Sequence, residues 1–423
     1  MRHGAADATV SGVKTASSTP TVLRAAWLFD GIAEALMPDP TVVLEGDTIT
    51  AVGTSLPVPD GATVIDLDGA TILPGLIDCH VHLAFDASDD PVAHLADRDD
   101  AAAFAAMATA ARLAARGGVT TVRDLGDRGY LSLGLRDAAT ADPSLPTIVA
   151  AGPPITTPGG HCHYLGGEAS GVAGIRAAIR ERAERGVDVI KIMASGGNLT
   201  PGSRPDVSQF GPNELRAAVE EAHRHNLPIT AHAHGTQAIV DALAAGVDGL
   251  EHVTFMAADG VDPIPEHVLA AVVSRNVTLG VTMGHAPAPG AAPPPAVAAR
   301  LPLIRAGICQ LHGAGASLVA GTDAGIGRSK PHDVMRWAVA HLTEIGMTPA
   351  EALLAGTSRA ATVCGLGHRK GRVSPGYEAD ILVVDGNPLD DLSALHHIRA
   401  VYVRGTALTN QTADQYQSVL DRS

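Results

Sequence analysis

Aromatic side chains are scarce in this chain: Trp 2, Tyr 5 and Phe 5 make up 3% of its 423 residues. A core without them must be filled by Ala, Val and Leu, and a surface without them offers few platforms for stacking nucleic-acid bases. Positive charge is also short, with Lys+Arg 30 against Asp+Glu 45 and a formal net charge of -15. That field repels phosphate backbones and anionic bilayers, so neither nucleic acid nor a membrane is expected as a partner. Cys79, Cys162, Cys309 and Cys364 stand far apart in the sequence and form no CxxC pair. This argues against a disulfide framework or a thiolate zinc finger and suits a reducing cytoplasm, where the protein is expected to reside. No apolar run approaches the roughly 20 residues of a membrane span. Residues 1–20, rich in Ala, Ser, Thr and Gly, lack the apolar stretch of a secretory signal and read as a mobile extension.

What is present is a long alternation of two patterns. From Thr21 to Leu73 short alternating runs such as Thr41-Val42-Val43-Leu44 and Ile49-Thr50-Ala51-Val52 are separated by turn residues, and similar runs return in Asp380–Val384 and Ile398–Val403. Residues 21–73 and 371–423 are therefore expected to build one small β-sandwich domain. Between them, residues 74–370 alternate apolar strands with Ala-rich amphipathic helices, the pattern of a parallel α/β fold. Strands are predicted near 75–82, 119–125, 147–152, 187–194, 228–234, 248–254, 277–282 and 317–323. Eight such units without a long break predict a (β/α)8 TIM barrel. Polar and Gly-rich residues follow the strands, which in a barrel brings them to the rim where barrel enzymes keep their active sites.

His80 and His82 lie two apart on the first strand, so their imidazoles share a face and can bind one metal ion; two barrel-filling polar residues would show the same spacing. Lys191 sits inside the apolar run Val187–Met193, where an unpaired ammonium carries a large desolvation penalty. Either a salt bridge compensates it, or the neutral amine reacts with CO2 to give an anionic carbamate able to bridge two cations. His232, His252 and Asp323 end later strands and add two nitrogens and a carboxylate, a set suited to zinc, with manganese and cobalt as alternatives. His234, two beyond His232, shares its face and reads either as a substrate contact or as a hydrogen-bonding support for a ligand. The Ala- and Pro-rich stretch from Met283 to Pro295 is placed to cover the site as a lid, or is a plain surface excursion.

In order along the chain, Leu73-Pro74-Gly75-Leu76-Ile77-Asp78-Cys79-His80-Val81-His82, Ile190-Lys191-Ile192-Met193-Ala194-Ser195-Gly196-Gly197, Ala231-His232-Ala233-His234-Gly235, Leu250-Glu251-His252 and Ala320-Gly321-Thr322-Asp323 resemble the strand motifs of the amidohydrolase superfamily. The likeness covers nearly the whole chain. It is strongest to the imidazolonepropionase-like branch that holds metal-dependent Xaa-Pro dipeptidases and the ochratoxin-cleaving amidase. It implies two divalent ions, His80, His82 and Asp323 on the more buried one, His232 and His252 on the outer one, and carbamylated Lys191 as bridge. Thr157-Pro158-Gly159-Gly160-His161 is similar to a Gly-Gly-His loop whose histidine contacts substrate, which implies that role for His161, with His163 and Tyr164 as further candidates.

The implied activity is a hydrolase in which metal-bridged hydroxide attacks an amide or cyclic amide C–N bond of a small, dipeptide-like or N-acyl amino acid substrate. Asp323 and His161 are the expected catalytic groups, Asp323 moving the proton from water to the departing amine. A lactone or phosphotriester hydrolase would use the same site. A non-catalytic barrel scaffold would have lost ligands that this chain retains. The residues leave open whether copies of the chain associate as a homo-oligomer.

Overall fold

The computed structural model describes residues 19–288 and 295–408, so residues 1–18 of the expected extension, the centre of the Met283–Pro295 stretch and the end of the chain beyond 408 lie outside the described residues. The architecture is mixed α/β. All eight parallel strands anticipated from the apolar runs are present, at Leu76–Val81, Val119–Asp124, Thr147–Ala150, Ile190–Met193, Ile229–Gly235, Gly249–Ala257, Thr278–Thr282 and Ser317–Gly321. They fall into two ladders, three strands followed by five, each in sequential order. Isolated parallel bridges Val81↔Ala324 and Ile155↔Ile192 link the ends of these ladders.

Strands of this kind lose both faces to neighbours, which is why they read as continuous rather than alternating apolar runs. Every residue of Leu76–Val81, Val119–Asp124 and Ile190–Met193 is buried. The helices between them cover the outer face with small side chains. Helix Asp100–Arg116 buries Ala103, Met107, Ala111 and Ala114, a helical stripe, and Asp99 caps its start by accepting the Ala102 N–H at 2.8 Å. The lack of aromatics is thus met by close helix–strand approach through alanine.

The terminal segments meet in one eight-stranded sheet. Its central strand, Thr63–Pro74, pairs in parallel with Thr21–Leu28 and antiparallel with Ile381–Asp385, with Val383 opposite Ile72. This sheet has its own core of Leu23, Val42, Ile49, Ile72, Ile381 and Val383, separate from that of the parallel strands. The sheet's central strand ends at Pro74, two residues before the first parallel strand, so the His80 strand is anchored to it directly. No described helix is long and apolar enough to cross a membrane.

Candidate metal centre and substrate cavity

At the C-terminal ends of the parallel strands the structure forms two groups of metal-competent side chains. His80, His82 and Asp323 offer ligand atoms within 4.8 Å of one another, and so do His232, His234 and His252. The groups adjoin, with the His80 and His252 ring centroids 5.0 Å apart.

Each imidazole is held by one ring nitrogen, and where that nitrogen donates the other carries the lone pair. His80 Nδ1 donates to Glu251 at 2.9 Å and His82 Nδ1 to the Gly126 carbonyl at 3.2 Å. His232 uses Nε2 on the Gly196 carbonyl at 3.0 Å. His234 Nδ1 pairs with the Thr254 hydroxyl at 2.8 Å and His252 Nδ1 with the Thr282 hydroxyl at 2.9 Å. Burial, together with the fields of Lys191 and the neighbouring imidazoles, pushes His80 and His234 down to about 4 and lowers His232 and His252 well below the usual histidine range. All four are therefore neutral near pH 7, the form that binds a metal. His82 shifts the other way: burial opposes its charge, but Asp323, 3.3 Å from Nε2, outweighs that and raises it. Asp323 itself is held ionised, because its contacts with His82 and His80 outweigh burial.

Lys191 is 1% exposed, and its Nζ has neither a hydrogen-bond partner nor an ion pair among the described residues. Among the described residues, no salt bridge explains a lysine in this strand. Burial lowers its ammonium to about 8, against the opposing pull of Glu251 and Asp323.

Glu251 was not picked out in the sequence. It is 1% exposed, accepts from His80, from the Arg123 guanidinium at 2.9 Å and from the Thr230 hydroxyl at 2.7 Å. Burial disfavours its charge, but Arg123 and His80 outweigh this and keep it well below the usual carboxylate range. The space around it is closed, since a Cβ on Gly280 would lie 2.0 Å from its Oε2, so only glycine fits there. The signal in the sequence was a pair of opposite charges, Arg123 and Glu251, each inside an apolar strand. Glu251→Gln is expected to leave the fold in place but to loosen His80, weakening metal affinity about 10- to 100-fold, the usual effect of losing a partner behind a ligand. Competition with a chelator measures it.

Both groups open into a cavity of about 280 Å³. His161 lines it beside His232, with ring centroids 4.8 Å apart. Its backbone N–H is fixed by Gln209 at 2.6 Å, and a Cβ on Gly197 would come 2.4 Å from its Nε2, so this Gly lets the ring lie against the backbone. Asn198 also lines the cavity, while Arg204 is paired with Asp206. His163 and Tyr164 do not reach the wall. Cys162 takes a left-handed φ of 57°, and the short helical turn His163–Leu165 carries Tyr164 behind the site, against Phe85 at 6.4 Å and with its hydroxyl 3.5 Å from Cys162 Sγ. The structure thus offers no cavity contact for either as a substrate-binding residue. Met283, Gly284 and His285, at the start of the expected lid, line the cavity.

The amidohydrolase family model matches residues 71–408, and the chain belongs to that family of hydrolytic enzymes. Among curated proteins it is similar to an ochratoxinase of Aspergillus niger, 28% identical over 416 residues, covering 90% of this chain and 84% of the relative. Among solved structures it resembles a Xaa-Pro dipeptidase with bound methionine in the active site, at 26% identity and a TM-score of 0.80, covering 92% of this chain and 100% of the other. It also resembles a prolidase complexed with N-methylphosphonate-L-proline, at 28% identity and a TM-score of 0.79, covering 93% of this chain and 100% of the other.

Proposed function

We propose that this amidohydrolase is binuclear and hydrolyses an amide or cyclic amide C–N bond of a small substrate, with dipeptides and N-acyl amino acids as the first classes to try. The observation that carries the reading is Lys191. A buried amine without a partner, in the same cavity wall as His82, His232, His252 and Asp323, fits a residue converted by CO2 into an anionic bridge between two cations. The donor set fits as well: His80, His232 and His252 as neutral imidazoles, with His82 beside the ionised Asp323 carboxylate, suit zinc, with manganese or cobalt as alternatives. His80, His82 and Asp323 would hold one ion, and His232 and His252 the other.

When bound, two such ions supply a hydroxide nucleophile near neutral pH and polarise the substrate carbonyl. The side chains do the rest. Asp323, ionised and at the cavity wall, accepts the proton of the attacking water and returns it to the nitrogen that departs, so that the leaving group is a neutral amine. His161, which burial pushes down to about 3, is neutral and contacts substrate without competing for that proton. Glu251 and Arg123 hold His80 in line.

We take the two ladders as one closed (β/α)8 barrel over residues 74–370, with the bridges Val81↔Ala324 and Ile155↔Ile192 as its seams. We take residues 21–73 and 371–408, the described part of the expected second domain, as a β-sandwich around the core they share. A panel of dipeptides, N-acyl amino acids, lactones and phosphotriesters tests the chemistry. Turnover of amides is expected, and turnover of esters alone would overturn the assignment.

A further inference from the structure

Lys330 is a buried cation that the hydrolytic machinery does not use. It is 6% exposed, lines the cavity, and donates to the Thr282 carbonyl at 3.0 Å and the Thr322 carbonyl at 2.7 Å. An ammonium has three N–H donors, so these two neutral acceptors leave one donor and the whole charge unanswered. No carboxylate forms an ion pair with it among the described residues. The acidic groups that influence it from further away are Asp323, already committed as a proposed ligand, and Asp78, whose oxygens take the Thr322 hydroxyl and the backbone N–H groups of His80 and Thr322.

The cavity as a whole has the same imbalance. In a protein of net charge -15, the described residues of its lining include Lys191, Lys330 and Arg305 but a single carboxylate, Asp323. Arg305 is already paired with Glu344 at 2.9 Å, which leaves Lys330 as the cation awaiting a partner once Lys191 serves as bridge. Opposing chemistry comes from helix Leu301–Gly313, whose Leu301, Ile304 and Ile308 recur at one-face spacing and line the cavity together with Met256.

We propose that Lys330 is a specificity-determining residue that anchors an anionic group of the substrate, while Leu301, Ile304, Ile308 and Met256 receive an apolar one. This rests on the amidohydrolase reading only in taking the bound molecule to be the substrate. The anchor itself is tested with two probes that hold no C–N bond, 3-phenylpropionate and 3-phenylpropanol, titrated calorimetrically into the metal-loaded protein. The acid is expected to bind more tightly by about 10- to 100-fold, the range of a charge-assisted hydrogen bond.

In Lys330→Gln, whose amide N–H2 can still donate to the Thr282 and Thr322 carbonyls, that preference shrinks by on the order of tenfold while alcohol affinity and metal content stay as in the wild type. Lys330→Arg keeps the preference. A wild-type ratio near one overturns the proposal whatever the variants do. So does a full ratio in Lys330→Gln, which would mean that the ions hold the acid, or an equal loss of both probes, which would mean a purely structural lysine. Because neither probe can be hydrolysed, this result is independent of the substrate panel, whose failure would count against the amidohydrolase reading alone.

Discussion

Lys191→Ala is expected to lose metal and activity together. The alanine variant should fall from two ions per chain to one or fewer, and kcat/KM for any amide substrate should drop by about 10³-fold or more, the scale on which removing one member of a cooperating catalytic set acts. The physical reason is the position of the side chain. Its amine is 1% exposed and unpartnered, so the folded protein gains nothing from it unless its charge is changed or shared. The same residue gives a pH expectation. Carbamate forms from the neutral amine, and with the ammonium at about 8 the neutral fraction grows as pH rises through that value. At a fixed concentration of dissolved CO2, metal uptake by metal-free protein should therefore be faster at pH 9 than at pH 7, and faster still as CO2 is raised. Full activity in Lys191→Ala would remove the bridge from the account.

Asp323→Asn carries the second large effect. The carboxylate is held ionised by His82 and His80, and it lies at a backbone φ of 61°, in the left-handed region that costs a non-glycine residue about 1–3 kcal/mol. His252 shares this feature with φ 72°. Strain of that size is retained where a side chain must point in one direction. The amide of asparagine keeps the shape but cannot accept a proton, so kcat should fall by about 10²- to 10⁴-fold, the range for lost general acid–base catalysis. Metal analysis of the same sample separates this from lost ligation. A variant that retains two ions and still turns over slowly identifies the proton step, whereas wild-type kcat would exclude Asp323 from it.

Much of this site was legible because its signals are local. His80 and His82 share a face through the two-residue period of a strand, and Lys191 stood out as a charge in an apolar run. His232, His252 and Asp323 were legible by their place after strands, since the ends of parallel strands converge. What escaped was contact between distant residues. Glu251 meets His80 across 171 positions and Arg123 across 128, and no periodicity links them. His234 was read as a contact or a support, yet its ligand atoms lie with those of His232 and His252 because all three imidazoles converge at one end of neighbouring strands. The course of the loop beyond His161 was not legible, because it turns on one left-handed residue, Cys162, and backbone sign is not written in a Gly-rich run.

The parallel strands were easier than the terminal sheet for the same reason. Each strand–helix unit is read within a few tens of residues. The pairing of Ile381–Asp385 with Thr63–Pro74 spans most of the chain and follows only from both being apolar.

The most direct measurement is a titration of metal-free protein with zinc in the presence of bicarbonate, following amide hydrolysis at each added equivalent. Activity is expected to rise until two ions per chain are bound and then to level off. Saturation at one ion, or hydrolysis that does not depend on metal, would contradict it.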